Sequence, residues 1–477
     1  MDALEWLLTG FVLAGALPLL SGCYQFILSG LHRFRRRAEG TLEREPNVAV
    51  VVPAWNEAAV IGRTLDTLLS LDYPPERLRV YVVDDASTDA TPDVVLGKAA
   101  EYPGRVFHLR RDVGGEGKAH TLNHGLRVIR ADGWYEAALI IDADVIFTAR
   151  SLRRMVRHFG DPSVGAVTGY IKEGSRPANY MNRFISYEYV AAQAGARRAQ
   201  NVLGAQACLA GGAQLLRRES LEAIGGEIDT SSLAEDTFTT FNVQLAGQRV
   251  VFDPHAIVWA EEPHDIAGLW KQRVRWGRGN VQVTWRYRHV WLRRSKGRLG
   301  GVSFALIWFP IFLMPALMLL SSVSLVTLYA LHRDLAFDVF RSFWALILMT
   351  YLFVTLSSFA QDGKAARASW REAVTFPGLV SLAIITIAVV TPLADALPEV
   401  GLLLAYIWLS ASMLAAYLVR RLESAAHGGW LARPLLYVVG YGPLLCAITA
   451  AAYFAELRRA DLVWEKTEKS GSVGNLA

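Results

Sequence analysis

Cysteine is scarce: the chain of 477 residues holds three, Cys23, Cys208 and Cys446, far apart and two of them within apolar runs. That distribution excludes a disulfide framework and offers no zinc-ligand spacing. Histidine does not replace it, since His108, His120 and His124 form no metal-binding pattern and read as surface or loop residues. Charged residues are few, at 19%, and the net charge of +5 is concentrated at the borders of apolar runs, where membrane topology alone would put it. Nucleic acid is therefore not an expected partner. A cleavable leader is not expected either, because Asp2 and Glu5 precede the first apolar run and Arg33, Arg35, Arg36 and Arg37 follow it, as in an uncleaved anchor.

What the chain has in excess is apolar surface: 52% hydrophobic residues, 14 Trp and a mean hydropathy of +0.24. Six stretches lack any Asp, Glu, Lys, Arg or His, at 6–31, 302–331, 342–361, 373–394, 400–419 and 434–455. A membrane span needs roughly 20 such residues. The second stretch carries Pro310 and Pro315, so its first part is expected along the interface before the chain turns inward. The excess of Lys and Arg predicts an outside N-terminus and an inside soluble part, with Arg293, Arg294, Lys296 and Arg298, then Lys364, Arg367 and Arg371, then Arg420, Arg421 and Arg433 on the inner flanks. Six crossings leave Arg458, Arg459, Lys466 and Lys469 outside, against the rule, which points to a miscounted span. The expected organisation is an N-terminal transmembrane anchor (1–32), a cytosolic domain (33–270), an interfacial amphipathic segment (271–301), a transmembrane bundle of about five spans (302–456) and a polar tail (457–477), in the inner (plasma) membrane.

Between the first two stretches the pattern changes to short β-branched runs alternating with helical periodicity. Strands are predicted at 48–52, 80–83, 106–109, 139–141 and 164–168, with helices at 57–70, 91–101, 118–130 and 148–159. Open α/β sheets bind ligands beyond the carboxyl ends of their strands. Those positions hold Pro53, Trp55, Asn56 and Glu57, then Asp84 and Asp85, then Asp142 and Asp144. Turns and helix caps use the same residue types. Two carboxylates one residue apart nevertheless suit a hard divalent cation that keeps several waters and bridges to substrate oxygens. Gly114–Lys118 is not a phosphate-binding P-loop, because Ala119 stands where the hydroxyl residue is required.

The succession PAWNE, DDASTD, GKAHTLN, DAD, AED and QRVRW, flanked by apolar stretches, resembles the family 2 glycosyltransferases that make polysaccharides, the cellulose, chitin, hyaluronan and poly-N-acetylglucosamine synthase group. The resemblance implies a GT-A-type, Rossmann-like α/β domain with a mostly parallel sheet, joined to an α-helical transmembrane bundle. It implies that Pro53, Trp55, Glu57 and Asp85 line the nucleotide-sugar site, with Lys118 by the diphosphate. Asp142 and Asp144 would meet Mg2+ or Mn2+, and Asp236 would be the catalytic base. Gln272 and Arg275 would bind pyrophosphate, with Trp276 and Glu235 at the acceptor sugar. Ala234 departs from the Thr of many relatives, and Cys208–Gly212 matches the cellulose-type acceptor motif loosely, which weakens cellulose as the product.

Elementary chemistry fits these roles. Departure of a nucleoside diphosphate needs charge neutralisation by a cation with Arg and Lys. One carboxylate, Asp236, then suffices to take the acceptor proton in a single displacement with inversion, although Asp is also a common helix cap near a residue such as Thr237. Trp276 has a bland alternative as a membrane-belt tryptophan, which is the reading given to Trp270, Trp285 and Trp291. The expected function is transfer from a UDP-sugar, UDP-GlcNAc or UDP-Glc, to a growing β-linked polysaccharide that is passed across the lipid bilayer, with an accessory export protein as a further partner. The alternative is a single addition to a lipid acceptor.

Overall fold

The computed structural model describes residues 2–32, 34, 44–390, 398–425, 428–460 and 469–474. The expected inner-flank residues Arg33, Arg35, Arg36 and Arg37, the tail residue Lys466 and the end of the 373–394 stretch lie outside them.

β-Branched runs buried on both faces build the centre of the soluble domain. β1 (Val48–Ala54) and β2 (Leu78–Asp84) are almost entirely buried and pair in parallel, and β3 (Val106–Arg110) and β4 (Ala137–Ile140) extend the parallel half on either side. The sheet has eight strands in the order β3-β2-β1-β4-β7-β6-β8-β5, adding β5 (Ile146–Phe147), β6 (Val164–Glu173), β7 (Gln214–Arg217) and β8 (Arg249–Ala260). It is more mixed than the mostly parallel sheet expected, because β7 runs antiparallel to both β4 and β6, and β5 antiparallel to β8. Helix Thr91–Glu101 has its predicted limits, Lys118–Asp132 runs slightly past them, and the 57–70 pattern is helical from Ile61 to Leu69. The 148–159 pattern resolves into a short helix, Ser151–Val156, and a tight turn. His108, read as a surface or loop residue, is in β3, and His120 and His124 are in helix Lys118–Asp132.

The apolar stretches are helical, and several are broken. Met314–Leu331, Arg333–Gln361 and Glu399–Glu423 are each long and apolar enough to cross a membrane. The 302–331 stretch divides into Val302–Phe312 and Met314–Leu331 beside Pro310 and Pro315, as the prolines require. The first stretch is not one straight anchor, because Ala3–Ala14 and Leu17–His32 meet at 49°. The last is not a straight span either, since Gly429–Val439 and Tyr441–Leu457 meet at 100°. The hinge is Gly440 at φ 111°, stacked on Gly378 at φ 89°, and a Cβ on Gly378 would lie 2.2 Å from the Val439 carbonyl oxygen. Only glycine fits two such backbones at this distance.

The sheet domain and the apolar helices share one core: Phe184, Ile185 and Trp270 pack with Val419, Leu436, Tyr441 and Leu444. Ion pairs and hydrogen bonds seal the junction, Lys172 to Asp362 at 2.5 Å, the Ile266 and Ala267 N–H groups to Glu423, and Arg278 to Glu456 at 2.6 Å. At the other ends of the helices, Glu399 accepts from Tyr329 at 2.6 Å and from Arg333 at 3.1 Å. Of the tryptophans assigned to membrane anchoring, only Trp285 is exposed. Trp270 is buried under the Arg420 guanidinium, and Trp291 packs among Phe241, Phe304 and Trp308.

Candidate active site

The parallel strands end in loops held by their own side chains. Asn56, at φ 54°, accepts from the Thr88 N–H at 2.8 Å and donates its own N–H to the Ser87 hydroxyl at 2.9 Å. Pro53 lies within the end of β1, and the loop that follows, with the exposed Trp55 and Glu57, is thus tied to the loop after β2. Asp84 is fully buried, takes Arg110 at 2.5 Å and caps the Ser87 N–H, so it is structural. Asp85 accepts from the Gly115 N–H at 2.9 Å and pairs with Arg111. Gly114 has no room for a side chain, since a Cβ would lie 2.2 Å from the Asp85 carbonyl oxygen. The glycine run therefore lets the loop lie on Asp85 and start helix Lys118–Asp132 with Lys118 pointing inward.

Lys118 is the centre of the charge cluster. Its Nζ is 2.5 Å from Asp142 Oδ1 and 3.3 Å from Glu235 Oε1. Burial works against the ammonium charge, but Asp142 and Glu235 outweigh it and its pKa is raised. Burial pushes the Glu235 carboxyl up, and Lys118 offsets this only in part. A Cβ on Gly211 would sit 3.2 Å from Lys118 Nζ, 3.6 Å from Asp142 Oδ2 and 3.6 Å from Asp236 Oδ2, so three charged groups converge on one point of the Cys208–Gly212 segment. Asp236 lies in the first turn of helix Glu235–Leu245, whose cap residue is Ala234. Its Oδ1 accepts from the Thr237 N–H at 2.7 Å, while Oδ2 faces the convergence point. The helix-start contact and an inward-facing oxygen thus coexist in one side chain.

Helix Ile266–Arg286 supplies the opposite wall. Gln272, Arg275 and Trp276 stand at i, i+3 and i+4, on one face. Arg275 is half-buried, and its partial desolvation lowers its pKa against the pull of Glu235, Asp142 and Asp236, the acids it faces. Gln272 is held by its neighbours: Arg273 donates to its Oε1 and its Nε2 donates to Glu262 at 3.1 Å. Trp276 is 37% exposed, the one aromatic face of this motif open to a ligand. The same helix packs on Tyr441–Leu457 so closely that a Cβ on Gly277 would lie 2.8 Å from Ala452 Cβ.

Asp144 has a partner that the strand pattern gave no reason to expect. Lys469 of the C-terminal tail, expected on the far side of the membrane, places its Nζ 2.7 Å from Asp144 Oδ2. The tail is held by Glu261, which accepts from the Ser470, Gly471 and Ser472 N–H groups at 2.8, 2.9 and 3.1 Å and from the Ser470 hydroxyl at 2.8 Å. Burial pushes the Glu261 carboxyl up, but these bonds and Lys469 prevail and its pKa is lowered. Val473 forms an antiparallel bridge with Ser175, and Arg63 donates to its carbonyl. Among the described residues no three His, Cys, Asp or Glu side chains form a ready-made metal cage. The only signal for the tail in the sequence is its polarity between Lys469 and Ser472.

Residues 46–279 match the model of the glycosyltransferase like family 2. The probable glycosyltransferase YdaM of Bacillus subtilis is 30% identical over 318 residues, covering 65% of this chain and 74% of that protein. The poly-beta-1,6-N-acetyl-D-glucosamine synthase of Staphylococcus aureus is 27% identical over 275 residues, covering 56% of this chain and 64% of the synthase. In fold, the chain is similar to the mannosyltransferase PcManGT from Pyrobaculum calidifontis, solved with GDP-Man and Mn2+, at a TM-score of 0.55 and 22% identity over 75% of this chain and 99% of that one. A mixed GT-A-like sheet, acidic groups at its strand ends and kinship along most of YdaM agree, and the chain belongs to the family 2 glycosyltransferases.

Proposed function

We propose that this glycosyltransferase transfers a sugar, with inversion, from UDP-N-acetylglucosamine or UDP-glucose to the end of a β-linked polysaccharide, and that the polymer leaves between the apolar helices. The observation that carries the reading is helix Ile266–Arg286: it brings Arg275 to the acidic cluster, leaves Trp276 open, and packs its other side on the helix Tyr441–Leu457. The 27% identity to a poly-N-acetylglucosamine synthase favours that sugar.

In this reading the acceptor hydroxyl lies against Asp236 Oδ2. Its oxygen attacks the anomeric carbon, its proton passes to Asp236, and the bond from that carbon to the diphosphate oxygen breaks with its electron pair going to the departing UDP. Lys118 and Arg275 offset the charge that develops on the diphosphate. Asp85, Glu57, Trp55 and Pro53 at the end of β1 hold the nucleoside, and Glu235 and Trp276 place the acceptor ring. Gln272 supports that wall through Glu262 and Arg273. Asp142 and Asp144 fit a divalent cation, Mg2+ or Mn2+, only jointly with diphosphate oxygens and water, since two carboxylates are too few to hold it alone. When bound, such a cation neutralises the leaving group. The PcManGT complex with GDP-Man and Mn2+ belongs to the same fold.

Lys469 and a cation compete for Asp144 in this arrangement. Replacing Lys469 by Ala is expected to tighten Mn2+ binding in the presence of saturating UDP by about tenfold, the scale of one charge-assisted contact, as counted by electron paramagnetic resonance of free Mn2+. An unchanged affinity would separate the tail from the metal site.

The product decides the main proposal. Purified protein in lipid nanodiscs, given radiolabelled UDP-N-acetylglucosamine or UDP-glucose, is expected to yield a polymer ladder from one of them. A chloroform-soluble product carrying one sugar would replace the polymer by a lipid acceptor.

A further inference from the structure

A second charge network lies behind the acceptor wall, centred on Arg273, and its members Glu188 and Tyr441 are used by none of the steps above. Arg273 is 6% exposed. Its Nε and Nη2 donate to the two oxygens of Glu188 at 3.2 and 3.1 Å, a bidentate pair. The same guanidinium lies 4.0 Å from the Trp276 ring centroid and donates to Gln272 Oε1, so it touches two members of the motif face. Glu188 accepts a third bond, from the Tyr441 hydroxyl at 2.6 Å. Tyr441 is fully buried, stacks on Phe184 at 4.9 Å, and is the first residue after the 100° break at Gly440.

We infer that Glu188 and Tyr441 are positioning residues for the sugar acceptor: through Arg273 they fix the tilt of Trp276, and so the height at which an acceptor ring rests beneath Asp236. Glu188 ends helix Tyr180–Glu188 just where the backbone widens into the π-helical turn Tyr189–Gly195, an irregularity that often marks functional positions. Tyr441 comes from the apolar helices, so the platform is braced from the catalytic domain and from the membrane-side hinge at once. Neither residue faces Lys118, Asp142 or Asp236, so the donor half of the site does not depend on them. The inference rests on the reading of Trp276 as the acceptor platform.

The test uses the full chain in nanodiscs with Tyr441→Phe, Glu188→Gln and the double variant. Acceptor KM is measured with a short β-linked oligosaccharide of the donor sugar, UDP affinity by calorimetry, and the Trp276 environment by its 19F resonance in fluorotryptophan-labelled protein, assigned through Trp276→Phe. Tyr441→Phe is expected to raise acceptor KM about tenfold, the loss of one hydrogen bond to a charged group, at unchanged UDP affinity. The Trp276 resonance should shift in both single variants, and the double variant should be no worse than Glu188→Gln alone. An unmoved Trp276 resonance, or UDP affinity falling in step with transfer, overturns the assignment. A wild-type protein that transfers no sugar at all would count against the proposed function, and the resonance would still decide the positioning role.

Discussion

Asp236→Asn should lower kcat by on the order of a thousandfold, within the range general-base removal produces, while UDP affinity and melting temperature stay near wild type. The reason lies in the two oxygens of Asp236. Oδ1 accepts from the Thr237 N–H and can do so as an amide oxygen. Oδ2, which faces Lys118 and Asp142 across Gly211, would become an amide nitrogen and could accept no proton. Shape and helix start are kept, and only basicity is lost. Single-turnover UDP release gives the rate, and calorimetry gives the affinity. A variant retaining a tenth or more of the wild-type rate would remove Asp236 from the chemistry and leave it as a helix-start residue.

Asp144→Ala, or excess chelator on the wild type, is expected to abolish turnover, a loss of at least about a hundredfold given the several kcal/mol a Lewis acid contributes to a charged transition state. Chelated wild type should recover with Mg2+ or Mn2+, and the variant should not. Asp144 also neutralises Lys469, whose side chain is only 16% exposed, so removing the carboxylate alone takes away the nearest counter-charge of a largely enclosed ammonium and lowers stability. The double variant Asp144→Ala with Lys469→Ala should regain the melting temperature without regaining activity. Chelator-resistant turnover would remove the cation from the mechanism.

β1 and β2 were legible because burial on both faces of a parallel sheet leaves nearly continuous β-branched runs such as Val48–Val52, and the acids following them stand out against that background. β8 was not legible. Its Asp253-Pro254 pair reads as a turn, yet the strand carries it as an irregularity: Gly169 pairs with Asp253 and the next residue, Tyr170, with Ile257. β5 and β7 are too short to show a period. In the site, Lys118, Asp142, Glu235, Asp236 and Arg275 converge as the motif order led one to expect. Lys469, Glu261 and Glu188 escaped because their partners lie far off in sequence, where neither periodicity nor local spacing carries information. Trp270 and Trp291 misled for a related reason: a tryptophan in a wet–apolar border and one packed beneath an arginine or another ring look alike in sequence.

The seals between helices and catalytic domain also constrain how often the chain traverses a bilayer. After leaving the domain near Gly301 it touches it again at Asp362, at Glu423, at Glu456 and at Lys469, while Tyr329, Arg333 and Glu399 gather at the opposite ends. Each return closes an out-and-back excursion. If the helices cross a membrane, the passages beyond the catalytic domain come in pairs, and the sharply folded segment Gly429–Val439 with Tyr441–Leu457 enters and leaves by the same face. The carboxyl-terminal residues and the sugar-transfer chemistry then share one compartment.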